Sequence, residues 1–434
     1  MRTTGENSPD SRTAVFRKRH LLQCRRVQGP AAIAALALAL SGCGRLGASL
    51  PVNLYVAVGL EDTNVISESN HRFFRERVAI AVKEFRRLNP SIHVQLALYP
   101  ESSLVERIER RNAADLGPDV ILSDAYMAKT LYKAKLTTSI PFDKELEANI
   151  FSSMLQRVTG ADRQIVAQPF VLYLQLACFN RRALPQPPRT TQDLLRISAG
   201  GKNFGLSYDS AQIFWTAGSQ GALPALNRIE QNQPITPQDR DSITAWLAWL
   251  QQAAAQQRIQ FFANEMELKL GLQKRELDWI TCSSADVEEL KAKLGDDLGV
   301  SALPHGPWHA ASPPNRLRVL SLGENSSPRQ RNAAITLMDY LLQPQVQRNL
   351  TLRSLSFLPA NRHVRVPIKS SSILQAMVTS RKQSAAASEF LNHFNLNKKL
   401  RSGMTTILTP LIFGINTPEE SSDNLILFLA NARQ

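Results

Sequence analysis

The stretch Gly117–Leu136, "GPDVILSDAYMAKTLYKAKL", places a short apolar strand directly before a helical pattern. Its apolar run is short enough for a strand, and Gly117-Pro118 is a turn signal in front of it. Asp124 stands between the strand and the helix, where a carboxylate can cap the first helical turn. We therefore predict a buried strand that ends at Asp124 and a helix that begins immediately after it.

The same order of strand and helix occurs twice upstream of this stretch. "VNLYVAVGL" (52–60) predicts a buried strand, and apolar residues recur at helical spacing from Arg72 onward. "IHVQLALY" (92–99) predicts a second strand, followed by a helix from Leu104. Strands and helices that alternate at this spacing predict a parallel sheet in an α/β domain. Ligands of such sheets bind beyond the carboxyl ends of the strands. The side chains at these ends are Glu61, Asp62, Glu101, Ser102, Ser103, Ser123 and Asp124.

Helix starts are marked most clearly in the second half of the chain. Ser327 precedes Pro328, and proline is favoured at the first position of a helix. Thr417 is followed three residues later by Glu420, which is the spacing of a capping box. We predict that helices begin at both places.

The amino-terminal segment has the layout of a secretory signal peptide. The apolar run Ala31–Leu40 is ten residues long, whereas a membrane-spanning helix needs about 20. Basic residues precede the run, and small residues follow it. The closing "Leu-Ser-Gly-Cys" resembles the lipobox of bacterial lipoproteins, in which the cysteine is lipidated and begins the mature chain. We predict a lipoprotein signal peptide over 1–42, lipidation of Cys43 and a tether over 43–51. A translation start at Val15 would shorten the basic segment that precedes the apolar run.

The 434 residues carry a formal net charge of +14. Residues 1–42 hold seven Lys/Arg and two Asp/Glu, so the remainder holds 44 basic and 35 acidic residues, a charge of +9. We interpret this positive charge as a solvated basic surface. The alternative is that the charge attracts an anionic ligand or a negatively charged surface. The chain after residue 42 exceeds one typical domain, which predicts two lobes. No apolar run there approaches a membrane span, so we expect a soluble body.

Common catalytic and metal-binding motifs are missing from the sequence. No GxxxxGK[ST], HExxH, GxSxG or CxxC occurs. His305 and His309 are close together, but Gly306 and Pro307 between them predict a loop, and no third metal ligand is apparent. We predict a protein that is not an enzyme and that holds neither a metal nor a cofactor.

Two cysteines, Cys178 and Cys282, follow Cys43. A disulfide is permitted outside the cytoplasm. The sequence alone gives no distance between the two residues, and a disulfide requires a close approach of their Cα atoms. We predict two buried free thiols, with a disulfide as the alternative.

Several segments, taken in order, resemble the extracellular solute-binding proteins of bacterial ABC importers. The similarity is strongest to the sugar-binding branch, family 1, which includes maltose-binding protein, and it covers about 52–434. A lipidated cysteine fits, because many such proteins are tethered lipoproteins. The segments are "GPDVILSDAYMAKTLYKAKL", "IVAQPFVLYLQLACFNRRALPQPPRTTQDLL", "LKAKLGDDLGVSALPHGPWHAAS" and "SSPRQRNAAITLMDYLLQPQVQRNL" with the following "SFLPANRHV".

This resemblance implies a two-lobed α/β fold of the type II periplasmic-binding-protein class, with a ligand cleft at a hinge of several chain crossings. The crossings are expected near Phe170–Leu176, Val319–Leu322 and Phe357–Ala360. Lobe one is then 52–170 plus 322–358, and lobe two is 171–320 plus 359–434. The lobes are expected to close on a small solute. The implied protein is a monomer on the periplasmic side, anchored to the membrane, that delivers the solute to permease subunits and binds no nucleic acid.

The same resemblance implies a set of ligand-binding residues. Carboxylates and hydroxyls can hydrogen-bond to sugar hydroxyls, and aromatic faces can cover the apolar face of a pyranose. One residue of the pair Phe214 and Trp215 is expected to face the cleft, and Asp124 could instead cap its helix. The set comprises Glu61, Asp62, Ser102, Ser123, Asp124 and Tyr126 in lobe one, Tyr173 at the first crossing, and Tyr208, Phe214, Trp215, Ser283 and Trp308 in lobe two.

The implied cleft contains few aromatic residues. The segment after Trp279 reads "ITCSSAD", and the last 40 residues hold only Phe413 and Phe428 as aromatics. Together with the charge of +9, this favours a small sugar or a glycoside over a large oligosaccharide. A polar or anionic solute, such as a glycerol phosphate ester, is an alternative. An alternative to the import function is a ligand-sensing lipoprotein of the same fold.

Overall fold

A computed structural model of the protein describes residues 51–60, 79–141, 144–385, 390 and 398–432. The predictions for the signal peptide, Cys43, Glu61 and Asp62 lie outside these residues. In the described part, no helix is both long enough and apolar enough to cross a membrane.

The strands of the described part belong to one connected system of pairings. They are β1 (Val52–Leu60), β2 (Ile92–Pro100), β3 (Val120–Asp124), β4 (Thr137–Thr138), β5 (Gln168–Asn180), β6 (Phe204–Ser207), β7 (Ile259–Phe262), β8 (Trp279–Ser283), β9 (Leu298–Ser301), β10 (Asn315–Gly323) and β11 (Leu358–Pro359).

Helices alternate with these strands along most of the chain. They are α1 (79–88), α2 (Leu104–Asn112), α3 (Ala125–Lys133), α4 (Lys144–Asn149), α5 (Ser152–Arg157), α6 (Thr191–Ala199), α7 (Ser210–Ile213), α8 (Trp215–Ser219), α9 (Leu223–Glu230), α10 (Pro237–Ala254), α11 (Glu265–Gln273), α12 (Val287–Leu294), α13 (Pro328–Leu342), α14 (Pro344–Ser354), α15 (Ser372–Ala385), α16 (Lys398–Ile412) and α17 (Pro418–Asn431). Short 3₁₀ helices cover Glu101–Ser103, Ser284–Asp286 and Gly295–Asp297.

The predicted capping residues begin their helices. Ser327 accepts a hydrogen bond from the backbone N–H of Gln330 at the start of α13, and Pro328 is the first helical residue. Thr417 and Glu420 form a capping box at the start of α17. Both predictions are confirmed.

The first sheet has the order β2-β1-β3-β10-β5. Strands β1, β2 and β3 are parallel, as the alternation of strands and helices predicts. Strand β10 runs antiparallel to both β3 and β5. The short strands β4 and β11 extend the edges by pairing with β10 and β5. The carboxyl ends of β1, β2 and β3 therefore meet at one edge.

The second sheet shares strand β5 with the first. From Gln175 onward, β5 pairs antiparallel with β8 and β9, and β6 lies parallel to both β8 and β7. Residues of β5 up to Leu174 pair with β10 of the first sheet. The chain thus passes from one sheet to the other between Leu174 and Gln175, where the hydrogen-bond partners of β5 change.

The other passages between the sheets lie in connecting segments. Residues Val319–Leu322 pair with β3 inside the first sheet, so they are not a crossing; the chain returns to the first sheet between β9 and β10. Strand β11 pairs with the first-sheet half of β5, and the following helix α15 packs against β5 and β9. The limits of the two lobes remain predictions.

The hydrophobic core is continuous across the shared strand. On one face of β5, Leu172 and Leu174 lie in the same cluster of buried side chains as Leu176. The cluster also contains Leu317 of β10 and Ile280 of β8. One packed layer thus supports both sheets where they join.

Cys178 and Cys282 form a disulfide. The prediction of two free thiols is therefore wrong. In the antiparallel pairing of β5 and β8, Cys178 lies opposite Ile280 and Cys282 lies opposite Leu176, so the cysteines are diagonal neighbours. Their Cα atoms are 5.8 Å apart, within the range that a disulfide requires. Strand pairing brings together two residues that are 104 positions apart.

Candidate ligand-binding site

Charged side chains of β10 and of the turn after β2 meet at the carboxyl ends of β1, β2 and β3. Arg318 of β10 donates hydrogen bonds to Glu101 Oε1 (2.5 Å) and to the carbonyl oxygens of Gly59 and Leu122 (2.5 and 3.3 Å). Arg316, two residues earlier on the same face of β10, donates to Glu101 Oε2. These contacts tie the ends of β1, β2 and β3 to β10, and we call Glu101, Arg316 and Arg318 the strand-end cluster.

The strand-end cluster is largely removed from water. Arg318 is only 6% exposed, and the Glu101 side chain is 15% exposed. Burial acts to raise the pKa of the Glu101 carboxyl, but the charges and hydrogen bonds of Arg316 and Arg318 outweigh burial and hold this pKa below its ordinary value. Glu101 is therefore ionised at neutral pH, and its single negative charge is shared between two guanidinium groups.

Asp124 caps α3 and also faces the strand-end cluster. Its Oδ1 accepts a hydrogen bond from the backbone N–H of Met127 (2.7 Å), and its Oδ2 lies 3.7 Å from Nη2 of Arg316. The structure therefore shows the capping role that the sequence allowed. Contact between Asp124 and a ligand remains a prediction.

A cavity of about 350 Å³ adjoins the strand-end cluster and is lined by residues of both sheets. Arg316 and Arg318 line it from the first sheet, and Ser283 and Asp286 line it from the end of β8 and the turn that follows. Apolar side chains of β1, β2 and β3 also line it. A concave site with an apolar wall and a few placed polar groups is the usual form of a small-molecule site.

Two aromatic rings lie where the chain passes between the sheets. Tyr173 of β5 is directly opposite Arg316 of β10 and packs edge to face against Phe357, with ring centroids 5.9 Å apart. Both rings line the cavity. Tyr173 is one of the predicted ligand residues, and its position is consistent with that role.

The wall from the second sheet carries charges that are compensated locally. Ser283 accepts a hydrogen bond from the backbone N–H of Ala285 (3.2 Å) and so caps the 3₁₀ turn after β8. Lys269 lies 2.9 Å from Asp286 and 3.4 Å from Glu289. Burial acts to lower the pKa of Lys269, but the two carboxylates outweigh burial and hold it above its ordinary value. Lys269 thus anchors the turn that carries this wall.

Phe214 and Trp215 belong to the hydrophobic core. Both are fully buried, Phe214 stacks on Phe390 with centroids 4.9 Å apart, and Trp215 packs against Trp249. The prediction that one of them faces a ligand is corrected, because core packing covers both rings. Helices α7 and α8 follow β6 closely and turn this apolar pair inward.

The positions of Ser123 and Trp308 also do not fit the ligand contacts predicted for them. Ser123 is fully buried, and its hydroxyl donates to the carbonyl oxygen of Asp124 (3.2 Å). Trp308 is 90% exposed and does not line the cavity. Neither residue is placed to contact a ligand in this cavity.

The remaining predicted residues lie near the strand ends but outside the cavity lining. Ser102 is exposed in the 3₁₀ turn after β2, and Tyr126 is half-buried in the first turn of α3. Tyr208 follows β6 and packs edge to face against Phe413, with centroids 6.0 Å apart. Their contacts with a ligand remain predictions.

Sequence reasoning missed both arginines of the strand-end cluster. The signal was present in "RLRVLSLG", because residues two apart in a strand face the same side. It named Glu101 at a strand end and Phe357 at a chain crossing, but it left both out of the predicted ligand-binding set. A partner for Glu101 lies 215 residues away, so no local pattern shows the pair.

No group of His, Cys, Asp and Glu suited to a metal ion occurs among the residues that the structure describes. His305 contacts the carbonyl oxygen of its neighbour Gly306 through Nδ1 (2.6 Å).

Residues 81–376 match the family described as bacterial extracellular solute-binding protein. This match covers more than half of the chain.

The chain belongs to the bacterial extracellular solute-binding proteins.

Solved structures with the same fold include proteins with sugars bound. The GacH receptor of Streptomyces glaucescens, solved without ligand and with acarbose, has a TM-score of 0.67 at 14% identity, over 88% of this chain and 98% of that chain. Maltose-bound MalE3 of T. maritima has a TM-score of 0.64 at 16% identity, over 88% and 100%. A solute-binding protein of Thermotoga lettingae with α-D-tagatose has a TM-score of 0.64 at 12% identity, over 88% and 99%.

These comparisons confirm the predicted two-lobed α/β fold of solute-binding proteins. No curated protein sequence matches the chain. The family is described as extracellular proteins that bind solutes.

Proposed function

We propose that this solute-binding protein captures a small saccharide or glycoside between its lobes and delivers it to the permease of an ABC importer. The observation that carries the proposal is the cavity at the junction of the two sheets, where Tyr173 and Phe357 lie beside Arg316 and Ser283. The family match and the sugars bound by the similar structures support it.

The residues around the cavity suit a polyhydroxylated ligand. A phenol ring offers an apolar face for the C–H side of a pyranose, and its hydroxyl can donate or accept a hydrogen bond. Arg316 is fixed by Glu101 at one side of Tyr173, so its direction is set before the ligand arrives. Fixed groups reduce the entropy lost on binding.

The shared strand suits a hinge. Strand β5 holds the first sheet with one half and the second sheet with the other, so a small change at its middle can move one sheet relative to the other. Ligand contacts with both walls would favour the closed state, because only differential contact shifts such an equilibrium.

A thermal-shift screen of the protein against monosaccharides, disaccharides and glycosides tests the proposal. A sugar at 100 times its dissociation constant adds about 2.7 kcal/mol of stability. Tyr173→Ala should remove the shift, and Trp308→Ala, at an exposed position outside the cavity, should retain it. The sugar should be recovered unchanged, because we propose binding without catalysis. Absence of a shift with every saccharide contradicts the proposal.

We further propose that the protein is tethered to the membrane through a lipidated Cys43. The lipobox-like sequence before Cys43 supports this step. Wild-type protein should partition with membranes, whereas Cys43→Ala should accumulate as an unprocessed precursor. Stable anchoring needs more than one acyl chain, so mass spectrometry should find at least two on the mature cysteine. An unmodified Cys43 on mature protein contradicts the tether.

A further inference from the structure

Strand β5 has a gap in its pairing at the point where its partners change. Strands β11 and β8 lie along the same side of β5, because β10 occupies the other side. On this side, β11 pairs with β5 only as far as Leu172, and β8 pairs with it only from Gln175 onward. Tyr173 and Leu174 therefore lie between the two ladders.

Ser284, the first residue of the 3₁₀ turn after β8, bridges this gap with its side chain. Its hydroxyl accepts a hydrogen bond from the backbone N–H of Leu174 (3.0 Å) and donates one to the carbonyl oxygen of Ser356 (2.5 Å). Ser356 lies two residues before β11, and both serines are fully buried. One hydroxyl thus joins three segments of the chain: β5, the approach to β11 and the end of β8.

Each of these three segments also contributes a wall of the cavity. The lining residues next to the three bonded positions are Tyr173 on β5, Phe357 before β11 and Ser283 at the end of β8. Ser284 itself is fully buried and does not line the cavity. Its hydroxyl therefore fixes the two aromatic rings and the wall of the second sheet relative to one another without facing the ligand.

A second buried hydroxyl bonds to β5 at the same point. Ser380 of α15 donates a hydrogen bond to the carbonyl oxygen of Gln175 (2.8 Å) and is fully buried. The backbone N–H of Gln175 donates to the carbonyl oxygen of Pro314, in the segment that leads into β10 (3.3 Å). The residues on both sides of the partner change, Leu174 and Gln175, are thus each bonded to the hydroxyl of a buried serine.

We propose that Ser284 is a positioning residue for solute binding and that Ser380 assists it. This inference rests on the proposed saccharide-binding function. The Ser284 hydroxyl holds the cavity walls in the arrangement that a ligand meets, so less freedom is lost on binding. Without the hydroxyl, the two buried backbone groups that it joins lose their partner. Because buried polar groups left unpaired are costly, the segments that carry the walls then shift to find other partners.

Ser284→Ala and Ser312→Ala form a matched pair for the test. The Ser312 hydroxyl is also buried, accepts a hydrogen bond from the backbone N–H of Gly218 (3.0 Å) and donates one to the carbonyl oxygen of Phe214 (3.0 Å). None of these three residues lines the cavity. Both variants remove a buried hydroxyl with two backbone partners, so both should lower the melting temperature by a similar amount.

The affinity for the saccharide with the largest thermal shift distinguishes the two variants. It is measured by isothermal titration, well below the melting temperatures. Ser284→Ala should weaken binding by about two- to thirtyfold, the range for residues that act on a site without contacting the ligand. Ser312→Ala should bind like wild type. If Ser284→Ala does not fold, as judged by circular dichroism, Ser380→Ala carries the test with the same expected loss.

The outcomes separate this inference from the proposed function. Wild-type affinity in Ser284→Ala, or in Ser380→Ala where it carries the test, overturns the positioning role and leaves the saccharide function standing. So does an equal loss of affinity in the tested variant and Ser312→Ala, because the loss then reflects a weaker fold and not the placement of the walls. Absence of binding by every saccharide of the screen overturns both.

Discussion

Glu101 shows how a single residue can hold a strand edge together. Its carboxylate binds Arg316 and Arg318, and Arg318 in turn reaches the backbone of β1 and β3. Breaking a buried ion pair by removing one partner leaves an uncompensated charge and costs about 3–5 kcal/mol. Glu101 therefore contributes more to the free energy of unfolding than a carboxylate in an ion pair exposed on the surface.

Glu101→Gln should lower the free energy of unfolding by about 3–5 kcal/mol at pH 7. The folded pKa of Glu101 lies below its ordinary value, so its stabilisation is present above the unfolded pKa of about 4.3 and is lost as pH falls through the folded pKa. The difference between wild type and variant should therefore shrink below about pH 4. Urea unfolding of both proteins at pH 7, 5, 4 and 3 measures this difference in the free energy of unfolding.

Glu106→Gln is the control for this experiment, because the Glu106–Arg110 pair is exposed on α2. Such pairs contribute little to stability. A difference between wild type and Glu101→Gln that stays constant down to pH 3 contradicts the ionised role of Glu101.

Two tryptophans allow a test of burial. Trp215→Ala should lower the free energy of unfolding by about 3–5 kcal/mol, because it empties a fully buried site in the core. Trp308→Ala should change it by less than about 0.5 kcal/mol, because Trp308 is exposed. Thermal melts of the ligand-free proteins measure both. A Trp215→Ala protein that melts like wild type but no longer binds sugar would restore the ligand role that the core packing contradicts.

At the scale of elements, strand β5 connects the parts of the molecule. It pairs with β10 and β11 of the first sheet and with β8 and β9 of the second. Its second half is also linked covalently to β8 by the disulfide. Each half of β5 is held by strands of its own sheet, so we expect any hinge in this strand at the change of partners between Leu174 and Gln175.

Removal of the disulfide should lower the free energy of unfolding by about 4–5 kcal/mol, since it closes a loop of about 100 residues in the unfolded chain. The double variant Cys178→Ser, Cys282→Ser and the reduced wild-type protein should show the same loss by urea unfolding. Reductant should have no effect on the double variant. An unchanged unfolding midpoint after complete reduction contradicts this stabilising role.

At the scale of the whole molecule, the arrangement of two sheets around one shared strand predicts closure on ligand. The walls of the cavity come from different sheets, so a ligand that touches both can bias their relative position. The radius of gyration from small-angle scattering should fall when the sugar with the largest thermal shift is added to saturation. Tyr173→Ala should keep the ligand-free radius under the same conditions. An unchanged wild-type radius at saturation contradicts closure.

The sequence by itself determined the order of elements in this protein. The parallel β1, β2 and β3, the cap at Asp124 and the capping box at Thr417 all follow from local patterns, because strand alternation, helical periodicity and capping depend on residues that are close in the chain. The order of quoted segments also identified the family, which the match over 81–376 confirms.

Tertiary structure alone decided which side chains meet. The disulfide joins residues 104 positions apart, and Glu101 binds arginines more than 200 positions away. The inward packing of Phe214 and Trp215 likewise depends on Phe390 and Trp249. A local pattern reports that a residue is apolar or charged, but its partner is set by the pairing of distant strands and by the packing of helices against them. For this reason the strand ends could be predicted as the candidate site, whereas the strand-end cluster could not.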